Sequence, residues 1–141
     1  MDERQQLIRL HGWRIAFATM TAVLLLNMVL LQLGAQLFAN QQIFAITMLL
    51  ASSGGSIAYF VLNGAYFRGN QKGLRIGSVW IAMGVFWVFL VVQGFRWFGL
   101  SHYFGAQGLT INCFQIEMGI WSLGLGIVMV VSGWREAHAE K

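Results

Sequence analysis

Four long apolar blocks, at about 15–38, 43–67, 76–98 and 109–134, fill most of this 141-residue chain, with short polar stretches between them. Each block reaches the roughly 20 residues that cross a hydrocarbon core of about 30 Å at about 1.5 Å per residue. Short links force consecutive helices to run antiparallel. The pattern therefore predicts an all-α fold, an integral membrane up-down-up-down four-helix bundle in a single transmembrane domain. The links at 34–42 and 69–74 are too short for a folded extramembrane domain. The stretch 99–108 has room for a tight turn, with Gly99, Gly105 and Gly108 as breakers.

Charge gives the bundle an orientation. Eight of the nine Lys and Arg residues fall at one end of it: Arg4, Arg9, Arg14, Arg68, Lys72, Arg75, Arg135 and Lys141. Only Arg96 lies at the other end. Cytoplasmic loops carry the excess of Lys and Arg, so the expected placement is multi-pass in a plasma membrane with both termini inside. Trp13, Tyr66, Trp97, Tyr103 and Trp134 sit at headgroup levels, where an aromatic belt is expected.

Composition narrows the function classes. The chain is 57% hydrophobic and 10% charged, against roughly 25% charged in a soluble domain. A pI near 9.9 suggests nucleic acid at first sight. The cations, however, are spread singly over span ends and form no basic stripe, so no nucleic-acid partner is expected. The apolar stretch after Arg14 is longer than a signal peptide's core and reads as a retained span. One cysteine excludes an internal disulfide and a multi-cysteine metal site. His11, His102 and His138 have no helical ligand spacing, so neither metal nor cofactor is expected.

Polar residues inside the blocks are the remaining candidates. In block four, Asn112, Gln115, Gly119, Ser122, Gly126 and Gly133 recur at steps of three and four, with Met129 filling the gap, and share one helix face. Gly119, Ser122, Gly126 and Gly133 are expected to form a packing seam, since membrane helices associate through small residues and interhelical hydrogen bonds. A substrate-lining face is the other reading. In block two, Ser52, Ser56, Tyr59, Asn63 and Tyr66 form a second stripe, with Ser53, Gly54 and Gly55 beside it near mid-membrane. This cluster is either a locally unwound stretch whose carbonyls bind a cation or solute, or a plain helix. In the plain helix the serines bond back to their own backbone and the glycines admit a neighbour. Asn27 and Gln32 in block one read as interhelical partners.

Glu117 is the one acidic residue inside a span, and an intramembrane carboxyl is a functional candidate by default. At about 100° per residue it points away from the seam, on the side of Cys113 and Gly124. It must then face a second protein surface, water or lipid, unless the helix is rotated otherwise. Arg96 is its expected partner, reaching down over part of the roughly 12 Å that separates Glu117 from the start of block four. Such a pair would keep the carboxylate ionised. A Cys113, His102 and Glu117 hydrolase lacks any activating motif, and the chain is not expected to be an enzyme. The N-terminal stretch 4–14 is read as a topology anchor running into block one rather than a helix lying on the headgroups.

The two halves are faintly alike. Arg14-Ile15-Ala16 opens the first hairpin and Arg75-Ile76-Gly77 the third block, while Phe67-Arg68 and Trp134-Arg135 close the two hairpins. Either the chain is a parallel duplication or any hairpin needs Arg at its cytoplasmic ends. Asp2-Glu3-Arg4-Gln5, Gly64-Ala65-Tyr66-Phe67 and the four-span layout resemble small membrane proteins of Gram-positive bacteria that have no established activity. The resemblance implies a bacterial plasma membrane and carries over no site residue. Two functions are expected. The first is a non-enzymatic accessory, regulatory or scaffold protein acting through helix–helix contacts. Its partners would be the lipid bilayer and either a second copy, as a homodimer, or another membrane protein. The alternative is a small homodimeric transporter or channel in which Glu117 exchanges a proton or cation near Ser52, Ser53 and Ser56.

Overall fold

The computed structural model describes residues 3–63 and 70–139, apart from a few side chains near the link and the C-terminus. It is an all-α four-helix bundle. The helices are α1 (Glu3–Gln32), α2 (Gln41–Leu62), α3 (Asn70–Phe98) and α4 (Cys113–Ala139), and all four are long and apolar enough to cross a membrane. In hydrocarbon every backbone polar group must be satisfied within the segment, which leaves the helix as the only form for such runs. The close of block two at Gly64-Ala65-Tyr66-Phe67, with Arg68, lies outside the described residues, as do Asp2 and Lys141.

Local chemistry sets the ends. Block one was expected to run to Phe38, but α1 stops at Gln32. Gly34 takes φ 75°, and the amides of Gly34 and Ala35 donate to the carbonyls of Leu31 (3.1 Å) and Leu30 (2.9 Å). That is the pair of bonds with which a left-handed glycine closes a helix. Asn40 starts α2, its Oδ1 accepting from the Ile43 amide at 3.0 Å. At its other end α1 begins at Glu3, so the N-terminal stretch and the first span are one continuous helix.

The helices pack in the order α1, α2, α4, α3. α1 lies antiparallel on α2, where Gly12 receives the ring of Phe60, and Gly55 sits against Ile15 and Thr19. α3 and α4 also run antiparallel, and their backbones approach closely through glycines. A Cβ on Gly77 would lie 3.0 Å from the Gly126 carbonyl, and one on Gly73 3.6 Å from the Gly133 Cα. Gly84 is covered by Leu123, and Gly119 by Trp87 and Val88. Gly119, Gly126 and Gly133 of α4 fall every seven residues, the spacing that keeps a packing seam on one side of a helix. α2 and α4 occupy the centre and run parallel, and the start of α1 and the end of α4 lie at the same end.

The opposite end carries a small cap. After Phe98 come a glycine with φ 73° (Gly99), a 3₁₀ turn (Leu100–His102) and a two-stranded hairpin of β1 (Phe104–Gly105) and β2 (Gly108–Leu109). Phe38 from the α1–α2 link bridges to Leu109. The Leu109 amide donates to the Leu37 carbonyl at 2.8 Å, and the Ala39 amide to the Leu109 carbonyl at 2.9 Å. The cap thus ties the two helical hairpins together through backbone bonds. Tyr103 was expected in the aromatic belt and is instead fully buried, in a core with Phe38, Ile43 and Cys113. Its hydroxyl donates toward the Val91 carbonyl (3.3 Å) and Gln115 Oε1 (3.1 Å), with Gly94 leaving space for the phenol. Trp97 and Trp134 are exposed near helix ends, and Trp13 is exposed ten residues into α1.

Candidate functional site

The central pair of helices meets at three points. Thr47 of α2 donates its hydroxyl to Glu117 Oε1 of α4. Further along, Trp121 lies over Gly54, whose missing side chain leaves room for the indole. Near the other end Ser132 Oγ donates to the Val61 carbonyl at 3.1 Å. Thr47, Gly54 and Val61 stand seven residues apart, so one face of α2 carries the whole contact.

Glu117 therefore points at α2. Its direction away from the glycine seam is explained by the position of α4, which has α3 on one side and α2 on the other. The expected ion pair with Arg96 does not form. Oε1 accepts from Thr47, Oε2 is buried with no hydrogen-bond partner among the described residues, and Arg96 is exposed near the end of α3. Gly119 lies level with Trp87 and Val88, which puts Arg96 roughly 9 Å above Glu117 along the bundle and on a different helix face.

Thr47, Leu50, Ala51, Glu117, Ile120 and Trp121 line a shallow pocket of about 200 Å³. Among the described residues its lining comes from α2 and α4 alone, and Ile120 at its wall is 69% exposed. Glu117 stands four residues into α4 and Thr47 six into α2, or about 6 to 9 Å below the helix starts. Trp121 also meets Trp80 of α3 edge-on, with centroids 5.0 Å apart at 72°. Its Nε1, like Glu117 Oε2, is buried without a hydrogen-bond partner among the described residues, and Ser122 Oγ is the third such atom.

The serine cluster is not part of this pocket. Ser52 and Ser53 donate to the Leu49 carbonyl at 3.1 and 2.7 Å, and Ser56 to the Ser53 carbonyl at 3.0 Å. Asn63 caps α2, its Nδ2 donating to the Tyr59 carbonyl at 2.8 Å. Of the two readings of this cluster, the plain helix is the one found. α2 is helical through Ser52–Ser56, because the hydroxyls bond within the helix while Gly54 and Gly55 take Trp121 and α1. On α4, Gly119, Gly126 and Gly133 face α3 and Ser122 is fully buried. The outer members of that stripe hold the cap, Gln115 through Tyr103 and Asn112 through the His102 carbonyl (3.0 Å).

Asn27 lines a second pocket of about 280 Å³ beside Gln36, Asn40 and Gln41, while Gln32 is exposed. Neither Asn27 nor Gln32 makes an interhelical hydrogen bond among the described residues. Cys113 is buried, its thiol donating to the Tyr103 carbonyl at 2.9 Å. Among the described residues no group of His, Cys, Asp or Glu side chains is arranged to hold a metal ion. Thr47 and Trp121 were missed by sequence reasoning, which followed the serine stripe on the other side of α2. The seven-residue spacing of Thr47 and Gly54 was the available signal. Comparison with family models, curated proteins and solved structures gave no match.

Proposed function

We propose that this chain is a non-enzymatic accessory, regulatory or scaffold protein of a bacterial plasma membrane, with both termini cytoplasmic, working through contacts between membrane helices. The observation that carries this reading is the separation of Glu117 from the serine cluster. A transport route needs a polar path through the bundle. Here the serine hydroxyls are bonded within α2, and the carboxyl is held by Thr47 with its second oxygen buried. The outward surface gives a partner ample apolar area. α1 rests on α2 alone among the major packings and leaves Leu25, Leu26, Met28 and Val29 more than half exposed. In lipid such a face is covered by acyl chains or by another helix. The test is the assembly state in mild detergent or native nanodiscs, read by light scattering and by cross-linking from cysteines placed along α1. A defined complex, with a second copy or another membrane protein, is expected. A strict monomer that cross-links to nothing would end this reading.

A second reading rests on Glu117 itself, an intramembrane carboxyl bonded to Thr47 through one oxygen and with no partner for the other among the described residues. In a small homodimeric transporter or channel it would exchange a proton or cation. Glu117→Gln would then abolish flux into liposomes while leaving the helical content unchanged. A flux indifferent to that substitution removes the residue from any mechanism.

A further inference from the structure

We propose that a pocket at the capped end of α3 binds a phosphate group. Its wall is one stripe of α3, Leu90, Gln93, Gly94, Trp97 and Phe98 at steps of three and one, closed by His102 of the 3₁₀ turn and Gln115 at the start of α4. The volume is about 350 Å³, against about 30 Å³ for one water. Three of these side chains keep a polar end that is unbonded among the described residues and not closed to solvent: the Gln93 amide, His102 Nε2 and Gln115 Nε2. The cap fixes what two of them offer. Asn112 reaches the His102 carbonyl at 3.0 Å, and a carbonyl only accepts, so the Asn112 atom there is the amide nitrogen. The same nitrogen lies 3.4 Å from His102 Nδ1. Nδ1 is thus the acceptor, and the ring carries its proton on Nε2. Gln115 turns its oxygen to the Tyr103 hydroxyl at 3.1 Å, which leaves its N–H groups as the free end. Both residues present donors, and the Gln93 amide adds a third. An ammonium group only donates and would also meet Arg96, the one Lys or Arg at this end. Neither α3, the cap nor the α1–α2 link carries an Asp or Glu, so the local charge favours an anion. A phosphate brings three acceptor oxygens to these donors, one more than a carboxylate. Leu90 lies eight residues, or about 12 Å, before the end of α3, so the lower wall is apolar and suits a chain attached to the phosphate. This binding goes beyond both functional readings and depends on neither.

The experiment uses the full chain in dodecyl maltoside, a detergent without phosphate. Dioleoylphosphatidate and dioleoylglycerol, which differ only in the phosphate, are added in turn, with dodecyltrimethylammonium, inorganic phosphate and glycerol 3-phosphate in separate arms. Binding is read by native mass spectrometry and as a shift of the Trp97 indole ¹⁵N–H resonance, assigned with Trp97→Phe. Phosphatidate is expected to be retained several-fold more tightly than dioleoylglycerol and to move that resonance, while those of Trp13 and Trp134 stay in place. Gln93→Leu removes an amide that makes no hydrogen bond among the described residues. His102→Phe keeps a ring to stack on Phe98, 4.8 Å away between centroids, and loses the N–H. Each should weaken retention several-fold, and unmoved Trp13 and Trp134 resonances show that the variants are folded. A response to phosphatidate alone would identify a lipid-borne phosphate, and one to glycerol 3-phosphate or inorganic phosphate as well a soluble phosphate compound. Equal retention of dioleoylglycerol, a preference for dodecyltrimethylammonium, unchanged affinity in either variant, or no binding of any probe would overturn the proposal.

Discussion

Thr47 holds Glu117 from the neighbouring helix, and its removal strands a second carboxyl oxygen beside the one already unpaired. Thr47→Val keeps the shape and loses the hydroxyl. It is expected to cost about 0.6 to 1.7 kcal/mol, the range seen for interhelical hydrogen bonds in membranes. Thr47→Ser should lose less, and titration with sodium dodecyl sulfate followed by circular dichroism distinguishes the two. Tyr103 allows a pH prediction. Burial, with a smaller contribution from the nearby Cys113, pushes its phenol above the usual tyrosine range. The unfolded chain loses this proton near pH 10 while the folded chain keeps it, so stability is intact below about pH 10 and falls above it. Absorbance titration should show a late-ionising tyrosine, absent in Tyr103→Phe. Little of this was legible in the sequence. A lone threonine among aliphatics carries no pattern of its own, and Tyr103 has the position of a belt residue until the cap folds over it.

Glycine spacing decides how close α3 and α4 lie. A Cβ on Gly126 would stand 2.8 Å from the Ile81 amide nitrogen and 3.0 Å from the Gly77 carbonyl. Gly126→Val is therefore expected to force the helices apart and cost about 1 to 3 kcal/mol, as overpacking does. Gly124 is two residues away, with nothing within 4 Å of its added Cβ. Gly124→Ala should be neutral or stabilise by up to about 1 kcal/mol through helix propensity. The same detergent titration on both variants checks the contrast. At this scale much could be read in advance. The apolar blocks gave all four helices, and residues at steps of three and four marked the face of α4 with Gly119, Gly126 and Gly133. The rotation of α4 was legible too, but not its meaning. Periodicity places Glu117 opposite the glycines without saying that α4 has neighbours on both sides. Arg96 looked like a partner because sequence distance along one hairpin hides the height and helix face that separate the two residues.

For the whole molecule, the order α1, α2, α4, α3 with a parallel central pair is what a two-fold axis along the helices would generate from one repeated hairpin. The two hairpins nevertheless pack differently, α1 on α2 at Gly12 and Gly55, and α3 on α4 along a longer glycine seam. Orientation is a prediction at this scale. Reporter fusions at residue 141 should be active only in the cytosol, and activity only outside the cell would invert the bundle. The cap has a further consequence for biogenesis. During synthesis the first hairpin enters the membrane with the Leu37 carbonyl unmatched, since its donor, the Leu109 amide, belongs to the second hairpin, while the Thr47 hydroxyl already bonds the Ile43 carbonyl within α2. A nascent chain halted before residue 109 thus offers an uncapped strand edge and a bare helix flank until the last span arrives.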